Sequence, residues 1–402
     1  MVLGTLAGDP FAGMAWMHMQ FVVGLRRLGH DVTYLELTSS WPYDPLVGSK
    51  VGRSDYAVEY LARVCAEFGV DDCWGYRDSY ATGEWSGPQH LRADDLLAHA
   101  DAVLNIAGAT RLDDEGFGSE RLVLIETDPI LLGIGYAAGD SVTRRFVDGH
   151  HDVVTYGENI GTPVCPVAAL PRQRATMRQP ILLDRWKPAG GEGRRYTTVA
   201  NWSQRGADVE FAGRLYHWSK DHEFRKVIGV PARVSAAIEL ATNLTAPDSM
   251  PLTDTSVHEP IKSRGVLDDD RALLATNGWG VVDSVQMSMD PMQYHDYIEA
   301  SRGEFTVARD LHARLQSGWF SERSACYLAA GRPVVTQDTG FGVSIPTGTG
   351  LLSFTSADEA VDALTEVESD YDRHAKAARG VAEEYFGAES VLGHMLTDLN
   401  LS

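Results

Sequence analysis

The sequence predicts an α/β protein with two doubly wound domains, each built on a mainly parallel sheet. Short runs of Val, Leu and Ile recur along the 402 residues, and such continuous apolar runs are typical of strands that are buried on both faces. Stretches with helical character separate these runs, and strand–helix–strand order produces right-handed crossovers. The same series occurs on both sides of a proline-rich stretch, and a chain of this length holds more than one ordinary core.

The first domain is predicted over residues 1–170. Its strands are predicted at 2–6, 31–37, 101–108, 121–128 and 151–157. A helix is predicted over 14–28, where Gly29 ends it. Five prolines and a GGEG run at 190–193 follow this series, which predicts the connection between the domains over 171–195.

The second domain is predicted over 196–384. Its strands are predicted at 196–202, 280–285, 304–309 and 332–337, and its helices at 218–228, 268–277 and 321–330. The tail over 370–399, which begins in this domain and runs past its end, is also predicted to be helical. Asp290 before Pro291 indicates a capped helix start. Ser356 and Glu359 have the spacing of a capping box.

The composition disfavours several classes of partner. The formal net charge is −21 at pH 7, which argues against nucleic acid and anionic membranes. The sequence has no run of about 18 apolar residues and no visible secretory signal. The four cysteines lack the spacing of a zinc site, which favours reduced thiols. We expect a cytoplasmic monomer or homodimer that does not span a membrane.

Two segments carry a resemblance to a known family. Residues 317–340 read SGWFSERSACYLAAGRPVVTQDTG, with a glycine turn before a predicted helix. Small and branched residues then follow at fixed spacing: Ala329, Gly331, Pro333, Val334 and Val335. The opening stretch has a glycine turn at Gly13, before a helix that ends in an Arg-Leu-Gly-His run. Both segments resemble sugar-nucleotide-dependent glycosyltransferases of the GT-B fold, of bacterial type.

The resemblance implies that two Rossmann-like domains face each other across a cleft. It also implies that the first domain binds the acceptor and that the second binds the donor. The donor is then a nucleotide diphosphate-sugar, which serves as co-substrate without any further cofactor. In this fold the last helix commonly crosses back, so residues 385–402 are expected to pack on the first domain.

The sequence departs from the commonest pattern of that family. Many retaining members carry two glutamates separated by seven residues, and their places here are taken by Gly318 and Cys326. The His-Gly-Gly signature of many inverting members is missing as well. The subfamily, the donor sugar and the stereochemical outcome therefore stay open.

The chemistry of a departing diphosphate indicates where the donor binds. A helix N-terminus stabilises the growing negative charge without a metal. The helix predicted from Ser321 is the candidate, and Arg323 can donate charge-assisted hydrogen bonds to phosphate. The alternative is an ordinary capped helix with a solvated arginine. The predicted donor site consists of Gly318, Ser321, Glu322, Arg323, Ser324, Asp338, Thr339, Gly340, Phe341, Asn201 and Lys220.

The start of the first predicted helix is the candidate acceptor site. Its apolar entrance consists of Gly13, Met14, Trp16 and Met17. Met and Trp at helical spacing also suit a protein core. An inverting transfer needs a general base, for which His18 and Asp128 are the candidates. A lone helical histidine is commonly structural, however, and Asp128 precedes a proline, which also suits a turn.

Taken together, these features predict a metal-independent glycosyltransferase for a small acceptor, such as an apolar or natural-product molecule. A non-catalytic sugar-nucleotide-binding protein and a nucleotide-sugar epimerase on the same fold remain alternatives. The acidic run at 268–270 resembles a metal-binding cluster, but it opens a predicted helix, where acids favour the dipole.

Overall fold

The computed structural model describes residues 1–37, 41–79, 81–110, 121–188, 193–244, 262–264 and 268–401, with only the backbone at 262–264 and Arg205. Contacts divide the chain into two compact units. Unit 1 comprises Met1–Thr162, Pro166–Leu182 and Phe386–Ser402, and unit 2 comprises Pro163–Cys165 and Leu183–Tyr385. Most of the GGEG run lies outside the described residues. The predicted cleft between the domains stays a prediction.

Unit 1 is built on an eight-stranded sheet. Its strands are β1 (Val2–Leu3), β2 (Tyr34–Glu36), β3 (Trp74–Arg77), β4 (Trp85–Ser86), β5 (Val103–Ile106), β6 (Leu122–Glu126), β7 (Asp152–Thr155) and β8 (Gln173–Thr176). They lie in the order β8-β7-β6-β5-β1-β2-β3-β4. The pairs are parallel except for β3 with β4. The strands β2 to β4 lie on one side of β1, and the strands from β5 onward lie on its other side. The strand order therefore reverses between β1 and β5.

Helices cover this sheet because the strands are apolar on both faces. They are α1 (Ala12–Arg27), α2 (Asp55–Glu67), α3 (Ala93–His99), α4 (Leu131–Ala138) and α5 (Ser141–Asp148). Gly29 follows α1 with φ +94°, which only glycine adopts readily, so the predicted helix end is confirmed. A small hairpin joins Tyr43–Asp44 to Ser49–Lys50.

Unit 2 is built on a six-stranded parallel sheet. Its strands are β9 (Arg195–Val199), β10 (Ala237–Thr242), β11 (Trp279–Asp283), β12 (Gly303–Thr306), β13 (Val334–Gln337) and β14 (Leu351–Phe354). The order β11-β10-β9-β12-β13-β14 is the 3-2-1-4-5-6 order of dinucleotide-binding folds. Unit 1 repeats that order around β1. Ligands of such sheets bind beyond the carboxyl ends of the strands, where the order reverses.

Helices also cover both faces of the second sheet. They are α6 (Asp221–Lys226), α7 (Asp268–Thr276), α8 (Ser284–Ser288), α9 (Pro291–Glu299), α10 (Asp310–Leu315), α11 (Glu322–Ala329), α12 (Ala357–Ser369) and α13 (Tyr371–Tyr385). The predicted caps are present, since Asp290 accepts from the Met292 amide at 2.7 Å and Ser356 accepts from the Glu359 amide at 3.2 Å. Two small pairings also occur, Ser203–Arg205 with Lys262–Arg264 and Val209–Phe211 with Arg214–Tyr216.

The last helix, α14 (Ala388–Asp398), packs on α1 within unit 1. Gly24 makes this contact close, because a Cβ there would lie 2.5 Å from Leu392 and 3.2 Å from Ala388. The predicted connection over 171–195 needs correction. Residues 171–182 belong to unit 1 and contain β8. Within the described parts of the chain, no helix is long and apolar enough to cross a membrane.

Candidate functional site

The start of α11 lies at the carboxyl edge of the unit 2 sheet, where the strand order reverses. Ser321 has the extended backbone of an N-cap residue, with ψ 135°, but its hydroxyl makes no capping hydrogen bond. The side chain of Arg323, in the first turn, contacts Val199 and Thr306. These residues end β9 and β12, the two strands on either side of the reversal. The helix start therefore lies where a doubly wound sheet binds its ligand.

Arg323 holds this helix start on the sheet. Its Nε donates to Glu304 Oε1 at 2.5 Å, its Nη1 to the Val199 carbonyl at 2.6 Å and its Nη2 to Thr306 Oγ1 at 3.0 Å. Its side chain is 12% exposed and that of Glu304 is fully buried. The prediction that Arg323 binds phosphate directly is therefore corrected, because its donor groups already bind protein acceptors.

Two predicted donor-binding loops meet in front of α11. The Gly318 amide donates to the Thr339 carbonyl at 2.7 Å, and Thr339 Oγ1 donates to the Trp319 carbonyl at 2.5 Å. The rings of Phe320 and Phe341 pack edge to face at 5.1 Å. The structure thus brings together two segments that the sequence separates by about twenty residues.

A hydrogen bond within the loop after β13 holds the conformation of that loop. Asp338 Oδ1 accepts from the Gly340 amide at 2.9 Å, and Gly340 has φ +83°. Thr339 and Phe341 are each 1% exposed. The ring of Phe341 is therefore part of the core, which corrects its assignment as a donor contact.

The first turn of α11 carries two further predicted residues. The Ser324 hydroxyl is buried and, among the described residues, makes no hydrogen bond. The Cys326 thiol donates to Glu322 Oε1 at 3.3 Å. Ser324 thus retains an unused polar group beside the helix start.

Other polar groups of the unit 2 edge follow β9 and β12. Asn201 is exposed and comes just after β9, whereas Lys220 is 8% exposed. Arg309 follows β12, donates through Nη2 to Gln204 Oε1 at 3.1 Å, and stacks 3.8 Å over the Trp218 ring. Sequence reasoning missed Arg309 because it was taken as the end of a strand. Its position directly after the Phe-Thr-Val-Ala run was the available signal.

In unit 1 the turn between β1 and α1 is held by side chains. Three successive amides donate to them: Leu6 to Tyr34 Oη at 3.0 Å, Ala7 to Glu36 Oε2 at 2.7 Å and Gly8 to Glu36 Oε1 at 2.5 Å. The Tyr34 hydroxyl in turn donates to Glu36 Oε2 at 2.9 Å. Tyr34 and Glu36 are fully buried. Side chains of β2 therefore hold the backbone of this turn in place.

Asp9 ends this turn beside the reversal point of unit 1. Its Oδ2 accepts from Thr5 Oγ1 at 3.0 Å, and the residue is partly exposed. Burial raises the pKa of Asp9, while Lys50 and Thr5 oppose that shift. A carboxyl with a raised pKa at a carboxyl edge is suited to proton transfer. The sequence analysis did not select Asp9. The available signal was an acid that lies between glycine and proline after a strand.

His18 lies beneath the same turn and is fully buried. Its Nε2 accepts from the Thr5 amide at 3.4 Å, so the proton is on Nδ1, which donates to the Met14 carbonyl at 2.7 Å. Burial lowers the pKa of His18 to about 4, against the bond to Met14. Both nitrogens thus bind protein groups, and this geometry favours the structural alternative over catalysis.

Asp128 follows β6 at the same edge and is partly exposed. Beside it, Glu126 is 4% exposed. Burial raises the pKa of Glu126 to about 7, with Thr155 opposing and Asp128 adding to the shift. Asp128 lies one strand further from the reversal point than Asp9. Its catalytic role stays a prediction.

The predicted acceptor residues divide into two groups. Trp16 is fully buried and packs on Phe68 with ring centroids 4.9 Å apart, so it belongs to the core. Gly13, Met14 and Met17 are partly exposed, and space for a Cβ is open at Gly13. The apolar entrance is therefore smaller than predicted.

The acidic run that opens α7 makes structural contacts inside unit 2. Asp270 accepts from Trp202 Nε1 at 2.8 Å and pairs with Arg225. Over the described ranges, no group of three or more His, Cys, Asp or Glu residues is arranged to hold a metal. A cavity of about 590 Å³ opens at the opposite, amino edge of the unit 1 sheet, among residues such as Val32 and Ala102. None of the site residues described above lines it.

The two strand orders and the loops at their carboxyl edges define the class: paired Rossmann-like units of the GT-B type. HepE and a sucrose-phosphate synthase are among the solved structures that share this fold. HepE from Anabaena, in complex with UDP-glucose, has a TM-score of 0.55 and 10% identity, covering 99% of this chain and 98% of its own. The sucrose-phosphate synthase of Thermosynechococcus elongatus has a TM-score of 0.52 and 11% identity, with the same coverage. At such identities the likeness concerns the fold, which the sequence resemblance had predicted.

No protein-family model matches the chain, and no curated protein matches it.

Proposed function

We propose that this protein is a glycosyltransferase that moves a sugar from a nucleotide diphosphate-sugar to a small acceptor. The observation that carries the proposal is the start of α11. It is an N-terminus without a side-chain cap, at the reversal point of a 3-2-1-4-5-6 sheet. Amide groups in this position stabilise the charge of a phosphate group.

The donor binds on unit 2 in this proposal. As the bond from the anomeric carbon to the diphosphate breaks, negative charge grows on the leaving oxygen. The amides of the first α11 turn stabilise that charge by about 0.3–1 kcal/mol, and by up to about 2 kcal/mol when partly buried. Lys220 and Arg309, at the same edge, supply positive charge. A metal is then not required, and activity is expected to persist in EDTA.

The acceptor is activated on unit 1. Asp9 accepts the proton of the acceptor hydroxyl while the acceptor oxygen bonds to the anomeric carbon, and the nucleotide diphosphate departs with the electron pair. Burial raises the pKa of Asp9, which makes its carboxylate a stronger base than an ordinary aspartate. Met14 and Met17 lie at the same edge and favour an acceptor with an apolar part.

Turnover separates this proposal from its alternatives. Uridine diphosphate sugars are the first donors to test, because HepE shares the fold and was solved with UDP-glucose. Release of nucleotide diphosphate that depends on an acceptor supports transfer. Release without an acceptor indicates an epimerase or hydrolase, and binding without release indicates a non-catalytic protein.

The base assignment has its own test. Asp9→Asn should lower kcat by about 10²–10⁴-fold, because the proton then has no acceptor. The dissociation constant for the nucleotide should stay within about twofold. Asp128→Asn is the matched control. If Asp128→Asn abolishes transfer and Asp9→Asn does not, Asp128 is the base.

A further inference from the structure

The turn between β1 and α1 contains an anion-binding arrangement that is already occupied. The amides of Leu6, Ala7 and Gly8 all point to the Tyr34–Glu36 pair, at 3.0, 2.7 and 2.5 Å. Successive amides that converge in this way form a cradle for an anion. In dinucleotide-binding units of the same strand order, this turn receives the phosphate groups. Here the carboxyl group of Glu36 occupies that place.

The contacts of Glu36 favour its ionised form. The Ala7 amide, the Gly8 amide and the Tyr34 hydroxyl all donate to its oxygens. The Tyr34 oxygen also accepts from the Leu6 amide. Burial acts in the other direction and raises the pKa of Glu36 to about 8. Burial outweighs the three hydrogen bonds, so the carboxylate form of Glu36 predominates only above about pH 8.

The same turn sets the position of Asp9. The Asp9 amide donates to the Thr5 carbonyl at 2.9 Å, and Thr5 Oγ1 donates to Asp9 Oδ2 at 3.0 Å. Thr5 and Asp9 therefore flank the three amides that the Tyr34–Glu36 pair binds. A shift of the Ala7 and Gly8 backbone would move the Asp9 carboxyl with it.

We propose that the carboxyl group of Glu36 fills the phosphate cradle of unit 1 in place of a bound anion and, through the turn, positions Asp9 toward the acceptor hydroxyl. The positioning of Asp9 rests on the proposed function, because it needs Asp9 as the base. The filling of the cradle by Glu36 does not depend on that function. With its cradle filled, unit 1 has no place for the donor phosphates at this turn, which leaves them to unit 2.

Rescue by a small anion tests the cradle without any enzyme assay. Glu36→Ala removes the carboxyl group and leaves the Ala7 and Gly8 amides and the Tyr34 hydroxyl facing a space of carboxylate size. Sodium formate should raise the melting temperature of this variant by at least about 2 °C. Formamide, which has the same size but no charge, should not. Wild-type protein should not respond to either, and Glu126→Ala, whose carboxyl is buried at the same edge, serves as the control for a general cavity effect.

The outcomes of this rescue are decisive. A folded Glu36→Ala variant that ignores formate overturns the proposal. An equal response of Glu126→Ala to formate overturns it as well, because the effect then belongs to any vacated carboxyl.

A second variant covers the case in which Glu36→Ala does not fold. Glu36→Gln keeps the shape but turns an NH₂ group toward one of the donors. Its kcat should fall about a hundredfold from displacement of the base, with KM for the donor and the dissociation constant of UDP within twofold. An unchanged kcat contradicts the positioning role. If wild-type protein transfers no sugar, the proposed function fails, while the formate experiment still decides whether Glu36 fills a cradle.

Discussion

At the scale of single residues, the buried pair of Arg323 and Glu304 determines where α11 begins. The guanidinium reaches both strands at the reversal point through Val199 and Thr306. Glu304 Oε2 is buried and makes no hydrogen bond with any described residue. Glu304 would therefore lose its principal partner if Arg323 were removed, and an unpaired buried charge is costly.

Arg323→Ala should lower the free energy of unfolding by about 3–5 kcal/mol. Urea denaturation followed by circular dichroism measures this loss. Arg373→Ala is the matched control, since Arg373 pairs with Glu366 at 2.8 Å but is 51% exposed, and it should cost less than about 1 kcal/mol. The double variant Arg323→Met with Glu304→Leu should recover most of the loss. A loss under 1 kcal/mol for Arg323→Ala contradicts the anchoring role.

Glu126 should make stability depend on pH. The folded state holds its proton up to about pH 7, whereas the unfolded state releases it near 4.5. Stability is therefore full below pH 4.5 and falls as the pH rises through 7, by on the order of 3 kcal/mol. Glu126→Gln removes this contribution. Melting curves from pH 4.5 to 8 should show a smaller decline for Glu126→Gln than for wild type, and parallel declines would refute the assignment.

The sequence could not predict which partners these side chains take. Arg323 in a first helical turn is compatible with phosphate or with a buried acid, and only the register of β12 brings Glu304 to it. His18 in a helix is likewise compatible with catalysis or with a structural role. Its bonds to the Thr5 amide and the Met14 carbonyl favour the structural role. The sequence also could not predict that Glu36 binds the turn after β1. An acid at the end of a strand ordinarily faces a ligand. Contacts between distant parts of the chain decide all three.

At the scale of elements, local chemistry predicted more. Asp290 and Ser356 cap the helices that the sequence assigned to them, since a cap needs only its own first turn. The first strand is shorter than predicted, because Gly4 to Gly8 form the turn that side chains hold. Strand β8 was missed altogether. Its residues alternate between partly buried and exposed, so no apolar run marks it.

The contact of β14 with α13 gives an element-scale prediction. Gly350 has φ +78°, and a Cβ there would lie 2.3 Å from the Ala378 backbone nitrogen. Gly348 has φ +108° with nothing within 4 Å. Gly350→Ala should therefore destabilise by about 1–3 kcal/mol more than Gly348→Ala, because both strain the backbone but only the first displaces a helix. Equal losses in thermal denaturation would contradict this packing.

At the scale of the whole molecule, two units with one strand order differ in their turns. In unit 1 the turn after the central strand is filled by Glu36, and in unit 2 the start of α11 has no side-chain cap. In the proposed function, this difference assigns the donor to unit 2 and the acceptor to unit 1. The repeated apolar runs predicted a mainly parallel sheet in each half, but β3, β10 and β14 were not among the predicted strands. The unequal turns depend on contacts that the sequence pattern does not contain.

The most direct test of this account is a crystal structure of the protein with UDP. We expect the diphosphate within hydrogen-bond distance of the amides of Glu322, Arg323 and Ser324, with Lys220 or Arg309 as a further contact. Phosphates bound at the turn of Leu6 to Gly8, or elsewhere on unit 1, would contradict it.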